Sequence, residues 1–542
     1  MFIQKFEWWN SGNTFRLENL MIKKIFTLIK IVRKVALSDA LKVVSKIHQP
    51  PLFIKLFINL LSISFKKGDD LSHNLSDEEK LCTSIEGMGT TFIKLGQFLA
   101  TRPDIISEDL SKHLEKLQDK LPPFSITEAK EIVKKNLGQS TFNSIINFSE
   151  PVAAASIAQV HKAQISDNGT IKDVAIKILR PDIKKKFNEE IDALMLFAYL
   201  IESSIKKTKR LKLIEVVFLL KEITNHEMDL RFEAAAANEY YENTKNDAGF
   251  IVPKIYWNYT SEEVLTLDWV DGVSIREKDI LKEKNINIEG IANDIIQHFL
   301  RHAVRDGFFH ADMHQGNLLI NENGQIVPID FGIMGRLDKL NRRFLAEILF
   351  GFIQRDYKKV AEVHILAGLV PQNVQVDELA QALRAIGEPI FGQSVKDISG
   401  GKLLKQLFNI TEKFNMQTQP QLLLLQKTMV VVEGVARKLN PNTNIWSTSR
   451  PVLEKWLKDT KDPINNISET IKETSEVLKR LPEFPKVMDK ANQALSYLAS
   501  GKIPDNSNSF SALKEKELEL KSFRNQSIVG LLLLVFFAFI VF

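Results

Sequence analysis

The sequence holds a single cysteine, Cys82, in 542 residues. One thiol excludes an internal disulfide and any cysteine-based zinc site, and it fits a reducing compartment. There is no G-x-G-x-x-G segment, which excludes a glycine-rich loop of the dinucleotide-binding or protein-kinase kind. No H-E-x-x-H helix, flavin fingerprint, iron triad or internal repeat stands out. The start shows no charged n-region, apolar h-region and A-x-A site, so a secretory signal is not expected. The net charge of +5 is too small to argue for nucleic acid, and none is expected as a partner. What remains is ordinary globular composition, 44% hydrophobic and 26% charged, on a chain long enough to bury a large core.

Charge is unevenly placed. Residues 1–70 carry twelve Lys and Arg against five acids, a surplus of seven that exceeds that of the whole chain. Trp8, Trp9 and many Ile, Leu and Phe are interleaved with them. Such a segment suits an anionic membrane surface, and it equally suits a basic docking helix on a soluble core. At the other end, "SIVGLLLLVFFAFIVF", Ser527–Phe542, carries no charge. Its sixteen residues would span about 24 Å as a helix, slightly short of a hydrocarbon layer of about 30 Å, and a membrane anchor is expected there. Lys514, Lys516, Lys521 and Arg524 precede it, which by the positive-inside rule leaves the main body on the cytoplasmic side.

Between these ends the pattern predicts a helix from the capping box Ser76–Glu79 to about Ala100, a short helix near Asp109–Lys120, and another over Ser125–Leu137 ending at Gly138. The period then shortens. Strand, loop and strand are predicted over Pro151–Ile165, a turn at Ser166–Thr170, and a buried strand over Asp173–Pro181. Long helices follow at Ile183–Ser204 and Leu211–Tyr241, then strands in "IVPKIYWN" and "VLTLDWVDG". Beyond Gly290 the chain reads as helical to about Leu439, with short strands near Leu318–Ile320 and Ile326–Ile329. The order is a small strand-rich lobe followed by a large helical one.

The chemistry-bearing residues fall in these lobes. In "FFHADMHQGNLLI", Asp312 and Asn317 stand five apart, and Asp330-Phe331-Gly332 follows thirteen residues beyond Asn317. Phosphoryl transfer needs one carboxylate to orient or deprotonate the acceptor. It also needs an amide and a second carboxylate to hold Mg²⁺ against the phosphates. The protein-kinase signature H-R-D-x-x-x-x-N followed by D-F-G keeps this spacing, with His310-Ala311-Asp312 in the place of H-R-D. Asp312 is the candidate catalytic carboxylate, and Asn317 and Asp330 are the candidate metal ligands. His310 and His314 flank Asp312 on a segment that reads as loop, and they are read as hydrogen-bonded structural histidines rather than metal ligands. Upstream, "VAIK" ends in Lys177, the candidate for the nucleotide's phosphates and for a helix carboxylate. Glu227 and Asp229 are the candidate partners, with Glu227 preferred and Arg231, four along, able to absorb it as a surface pair. Where a glycine-rich loop would cover the phosphates stand Val152, Ala153, Ala154, Ala155, Ser156, Ile157, Ala158, Gln159 and Val160. Alanine lacks glycine's freedom at positive φ, so phosphates would be held differently here. Lys94 and Gln97 lie at i and i+3 on one helical face, a pattern that by spacing alone reads as a solvated stripe.

Taken together, Lys94-Leu95-Gly96-Gln97 with Thr101–Asp104, the alanine-rich stretch, Val174–Lys177, Glu227-Met228-Asp229, His310–Asn317 and Asp330–Gly332 resemble the UbiB (aarF-domain) family of atypical protein-kinase-like proteins. The resemblance covers about Ser76–Ser447. It implies an α+β, two-lobed protein-kinase-like fold, with a β-rich N-lobe, a helical C-lobe, a helical N-terminal extension and a C-terminal transmembrane helix. The extension with Lys94 and Gln97 folds over the active site in that family, which would make both of them site residues. The expected segments are 1–75 basic region, 76–145 extension, 146–272 N-lobe, 273–450 C-lobe, 451–526 tail and 527–542 anchor. The resemblance further implies ATP and Mg²⁺, a role in ubiquinone biosynthesis, and location at a bacterial inner membrane. Expected partners are lipid, prenylated quinone precursors and other enzymes of that biosynthesis. Family members often carry two hydrophobic C-terminal segments, and only one is found here.

Two other readings compete. "HADMHQGN" is also close to the loop of aminoglycoside and choline phosphotransferases, which would make the protein a kinase of a prenol or phenol. A nucleotide-binding scaffold without catalysis would need no general base, and Asp312, Asn317 and Asp330 argue against it.

Overall fold

The computed structural model describes residues 77–100, 121–167, 169–204, 212–371, 373–392 and 420–460, with 26–28, 30–31, 110, 113–114, 117 and 414. The expected short helix at 109–120 therefore falls mostly outside the described residues. So do nearly all of the basic region, the tail beyond 460 and the anchor at 527–542. Among the described residues no helix is long and apolar enough to cross a membrane.

Two helices open the described chain, α1 (Asp77–Met88) and α2 (Thr90–Ala100). A single helix was expected here. Gly89 at φ 104° ends the first and lets the second start in a new direction. Helix α3 (Ile126–Asn143) begins at Ser125, whose side chain accepts the Glu128 N–H while Glu128 accepts from Ser125, a complete capping box. Gly138, expected as the end, is a non-helical kink at φ 82°, after which the helix resumes.

The N-lobe sheet follows: β1 (Ile145–Ile146), β2 (Pro151–Ala154), β3 (Ala158–Asp167), β4 (Thr170–Leu179) and, after three helices, β5 (Val264–Asp268). It is antiparallel in the order β1-β3-β4-β5, with β2 also paired to β3. In β4, Val174, Ile176 and Ile178 are fully buried on one face, with Ala129 and Val133 of α3 in the same cluster. The two-residue period turns Ala175 and Lys177 to the other face. Lys177 pairs with Val160 on one side and Leu265 on the other, so it sits mid-sheet.

The long helical pattern after β4 resolves into α4 (Ile183–Ser204), α5 (Leu213–Glu227) and α6 (Leu230–Thr244). Asp229 separates the last two, its side chain accepting the Arg231 N–H as the N-cap of α6. The strand expected in "IVPKIYWN" does not form. Pro253 cannot donate to a ladder, and only Ile255 bridges to Leu267 before a 3₁₀ turn at Trp257–Tyr259.

The C-lobe contains β6 (Gly272–Ser274), α7 (Lys278–Glu283) and α8 (Ile288–Arg301). A π-helical turn, His302–Asp306, follows and ends at Gly307 with φ 66°. Next come β7 (Phe308–His310), β8 (Leu318–Asn321), β9 (Ile326–Pro328) and β10 (Met334–Arg336), which form the small ladders β6-β8-β9 and β7-β10. Helices α9 (Lys339–Gln354), α10 (Tyr357–Leu366), α11 (Val376–Gly392), α12 (Pro420–Leu439) and α13 (Ile445–Thr460) complete it. Ile445 and Leu453 of α13 belong to the main core, so that helix runs through the boundary expected at 450/451. The same core joins Leu265 and Leu267 of the sheet to Phe299, Phe309, Met313 and Phe331, and holds both lobes against the loops between them.

Candidate active site

Residues far apart in sequence converge where β4, α6 and the loops after β7 and β9 meet. Lys177 Nζ donates to both oxygens of Glu233, at 2.7 and 2.8 Å, and to Asp330 Oδ2 at 3.2 Å. The lysine partner is therefore Glu233 on α6, not Glu227 or Asp229. The break at Met228–Asp229 explains the difference: Glu227 ends α5, while Glu233 sits one turn into the next helix and faces the sheet. Asp229 instead caps α6 and is gripped by Arg231, at 2.9 and 2.7 Å. Burial acts to lower the Lys177 ammonium pKa, but Asp330 and Glu233 beside it win and raise it, so the charge is held. Burial likewise acts to raise Asp330, and Lys177 together with the Gly332 N–H keeps it well below the usual carboxylate range.

Glu227 meets the extension instead. Lys94 Nζ lies 2.8 Å from Glu227 Oε2, so α2 is tied to the end of α5 by a largely buried ion pair. Gly96 lets α2 approach closely, because a side chain there would strike Leu117. Gln97 is half-buried on the same helix.

The loop after β7 is organised by His310, which lies in a strand rather than the expected loop. His310 Nε2 donates to the Asp330 carbonyl at 2.5 Å, and Nδ1 accepts the Asp312 N–H at 3.1 Å. This fixes the neutral tautomer and places Asp312 against the Asp330 loop. Burial lowers the His310 pKa in agreement. Asn317 Nδ2 donates to the Asp312 carbonyl at 3.1 Å and to Asp312 Oδ2 at 3.2 Å. The Ile329 N–H donates to the Asn317 carbonyl at 3.0 Å, which brings Asn317 beside Asp330. With its nitrogen committed to Asp312, Asn317 offers its amide oxygen. That oxygen and the Asp330 carboxylate form a hard donor pair suited to Mg²⁺.

The alanine-rich stretch is a hairpin. Val152 is exposed, Ala153 and Ala154 lie in β2, and Ala155 to Ile157 make the turn. The Ala155 N–H is spent on the Ala158 carbonyl at 2.8 Å. Ser156 Oγ is buried with no hydrogen-bond partner among the described residues. Gln159 is buried and exchanges hydrogen bonds with the Phe124 backbone at 2.9 and 3.2 Å, and Val160 continues β3 beside Lys177.

Several contributors carry no sequence motif. Arg180 donates to the carbonyls of Ala155, Pro122 and Leu121, the last two at 2.9 and 3.1 Å. Thr90 Oγ1 donates to the Ser156 carbonyl at 3.0 Å. From α12, Thr428 Oγ1 donates to the Ala311 carbonyl at 3.0 Å. These acceptors are main-chain atoms, which no residue pattern specifies. Behind His310, Tyr240 donates to His302 Nδ1 at 2.7 Å, and His302 Nε2 donates to Asp247 at 2.9 Å. Asp247, His298 and His302 place three ligand-type atoms within 4.8 Å of one another. Arg305 already forks Asp247, at 2.6 and 2.9 Å, and Arg301 donates to His298 Nδ1 at 3.2 Å, so the cluster is a buried ion-pair network.

That network makes stability depend on pH. Burial pushes His298 from 6.5 down to about 3 and lowers His302 as well. Protons therefore bind the unfolded chain first, and stability is lost as pH falls below about 6.5. Urea midpoints of the full chain at pH 7.5 and 5 are expected to show the drop, and His298→Phe should make it shallower. An unchanged slope would remove His298 from the cause.

With this geometry in view, residues 116–364 match the ABC1 atypical kinase-like domain and residues 383–444 match the UbiB helical domain. A protein of Marinobacter nauticus named "Probable protein kinase UbiB" is 37% identical over 455 residues, covering 83% of this chain and 82% of that one. The chain belongs to the UbiB family. A UbiB relative from Azotobacter vinelandii is 38% identical over 389 residues, 71% of this chain and 72% of that one. Among solved structures, that of Rv3197 with erythromycin from Mycobacterium tuberculosis aligns with a TM-score of 0.45 at 21% identity, over 74% of this chain and 98% of that one. UbiB membership makes the two lobes a kinase-like fold, with a strand-rich lobe carrying Lys177 and a helical lobe carrying Asp312.

Proposed function

We propose that this protein binds ATP·Mg²⁺ between its lobes and transfers the terminal phosphoryl group to water, in support of ubiquinone biosynthesis. The observation that carries this is the continuous hydrogen-bonded set Lys177–Asp330–His310–Asp312–Asn317, which gathers an amine, two carboxylates and an amide at one cleft. Lys177 holds phosphate oxygens by charge, and Asp312 orients the attacking water and takes its proton. Asn317 and Asp330 would hold Mg²⁺, which supplies neutralisation of charge on the transferring phosphates. Lys94–Glu227 ties the extension to the end of α5, and in this reading the extension covers the cleft where a peptide acceptor would otherwise enter.

The expected setting is the cytoplasmic face of a bacterial inner membrane, with residues 527–542 as the anchor and a prenylated phenol as the molecule made available to other enzymes. The test is ATP turnover by the full chain in liposomes, with and without a prenylated phenol. We expect free phosphate, released faster when the phenol is present. A phosphorylated lipid would favour the small-molecule kinase, and nucleotide binding without turnover would favour a scaffold.

A further inference from the structure

His314 lies two residues past Asp312 and was read from the sequence as structural. Its surroundings in the fold say otherwise. Nδ1 accepts the Gly316 N–H at 2.9 Å, so the ring proton is on Nε2. Nε2 in turn lies 3.6 Å from Asp312 Oδ2, beyond hydrogen-bond length, so this N–H is not spent on the carboxylate. The side chain is 47% exposed and Asp312 is 40% exposed, so a ligand can reach both. Gly316 leaves room for this placement, since a side chain there would strike both His314 and Arg276. A structural histidine spends both nitrogens, as His310 does on Asp312 and Asp330. Among the described residues His314 spends one, and the other lies beside Asp312 Oδ2, the oxygen that also accepts from Asn317 Nδ2.

We propose that His314 is a further catalytic residue whose Nε2–H donates to a non-bridging oxygen of the terminal phosphoryl group. This rests on the ATP-binding reading above and adds to it a sensor for the third phosphate. In the step, the water oxygen bonds to the terminal phosphorus and the bond from that phosphorus to the bridging oxygen breaks. ADP leaves with the electron pair, and Asp312 receives the water proton. His314 keeps its own proton throughout and contributes only a hydrogen bond, strongest where charge gathers on the equatorial oxygens. Because Nδ1 accepts the Gly316 N–H two residues along, the Nε2–H donor is preorganised and costs little to hold in place.

The consequence is discrimination between nucleotides. Binding of ATP and ADP, each with Mg²⁺, is measured on the full chain by titration calorimetry, for the wild type, His314→Ala and His314→Gln. His314→Ala is expected to weaken ATP about tenfold, the worth of about 1.4 kcal/mol, while leaving ADP unchanged. His314→Gln, which keeps an N–H within reach, should recover part of the loss. Thermal midpoints of all three should agree, since the side chain is half in solvent. Equal losses for ATP and ADP, or none for either, would overturn the role of His314 and leave the ATP site standing. Failure of the wild-type chain to bind either nucleotide would overturn both.

Discussion

Asp312→Asn is expected to lower ATP turnover about a thousandfold, the scale of a lost general base. The amide keeps the size of the carboxylate, and its oxygen can still accept from Asn317 Nδ2, which lies 3.2 Å from Asp312 Oδ2. The hydrogen bond from the Asp312 N–H to His310 is main-chain and is unaffected. Nucleotide affinity should therefore hold while the chemical step fails, so the loss falls on kcat rather than KM. Single-turnover phosphate release and equilibrium binding on the same preparation separate the two. Turnover above about a tenth of wild type would remove Asp312 from the chemistry, since a positioned base contributes more than that.

Glu233→Ala is expected to cost about 3 kcal/mol of stability, read from urea unfolding. Lys177 is 14% exposed and Glu233 is 9% exposed, so the substitution strands a buried ammonium. Breaking a buried pair from one side costs about 3–5 kcal/mol. The lower end is appropriate because Asp330, 3.2 Å away, remains as a partial partner. The double substitution Lys177→Met with Glu233→Leu removes both charges and should recover part of the loss, the remainder reflecting Asp330 left without its cation; no turnover is expected from it. If Glu233→Ala alone unfolds no more readily than wild type, Asp330 carries the lysine by itself.

The fold brings together Lys177, Asp312, Asn317 and Asp330, the residues that the V-A-I-K strand and the spacing along the two loops single out in the sequence. Glu233 escaped because residues 211–241 keep a helical period straight through Met228–Asp229, where the chain in fact stops and restarts. The cue was present: an Asp ahead of an apolar run is an N-cap signal, and it would have moved the inward-facing carboxylate to the following turn. Strands β7 and β10 are three residues each, too short for a two-residue alternation to register. The apolar run at Ile251–Asn258 misled in the other direction, since Pro253 has no N–H to give a neighbouring strand. Arg180 and Thr90 were out of reach for a different reason. Their targets are carbonyls, and every residue has one.

Arg180 has a mechanical consequence. Its guanidinium grips the turn of the alanine hairpin together with the backbone just ahead of α3. The hairpin cannot lift from the cleft by itself: it must shed those contacts or drag Leu121 and Pro122 along. One arginine thus yokes the roof of the cleft to the strap beside it, and both should swing as a single flap whenever the cleft opens.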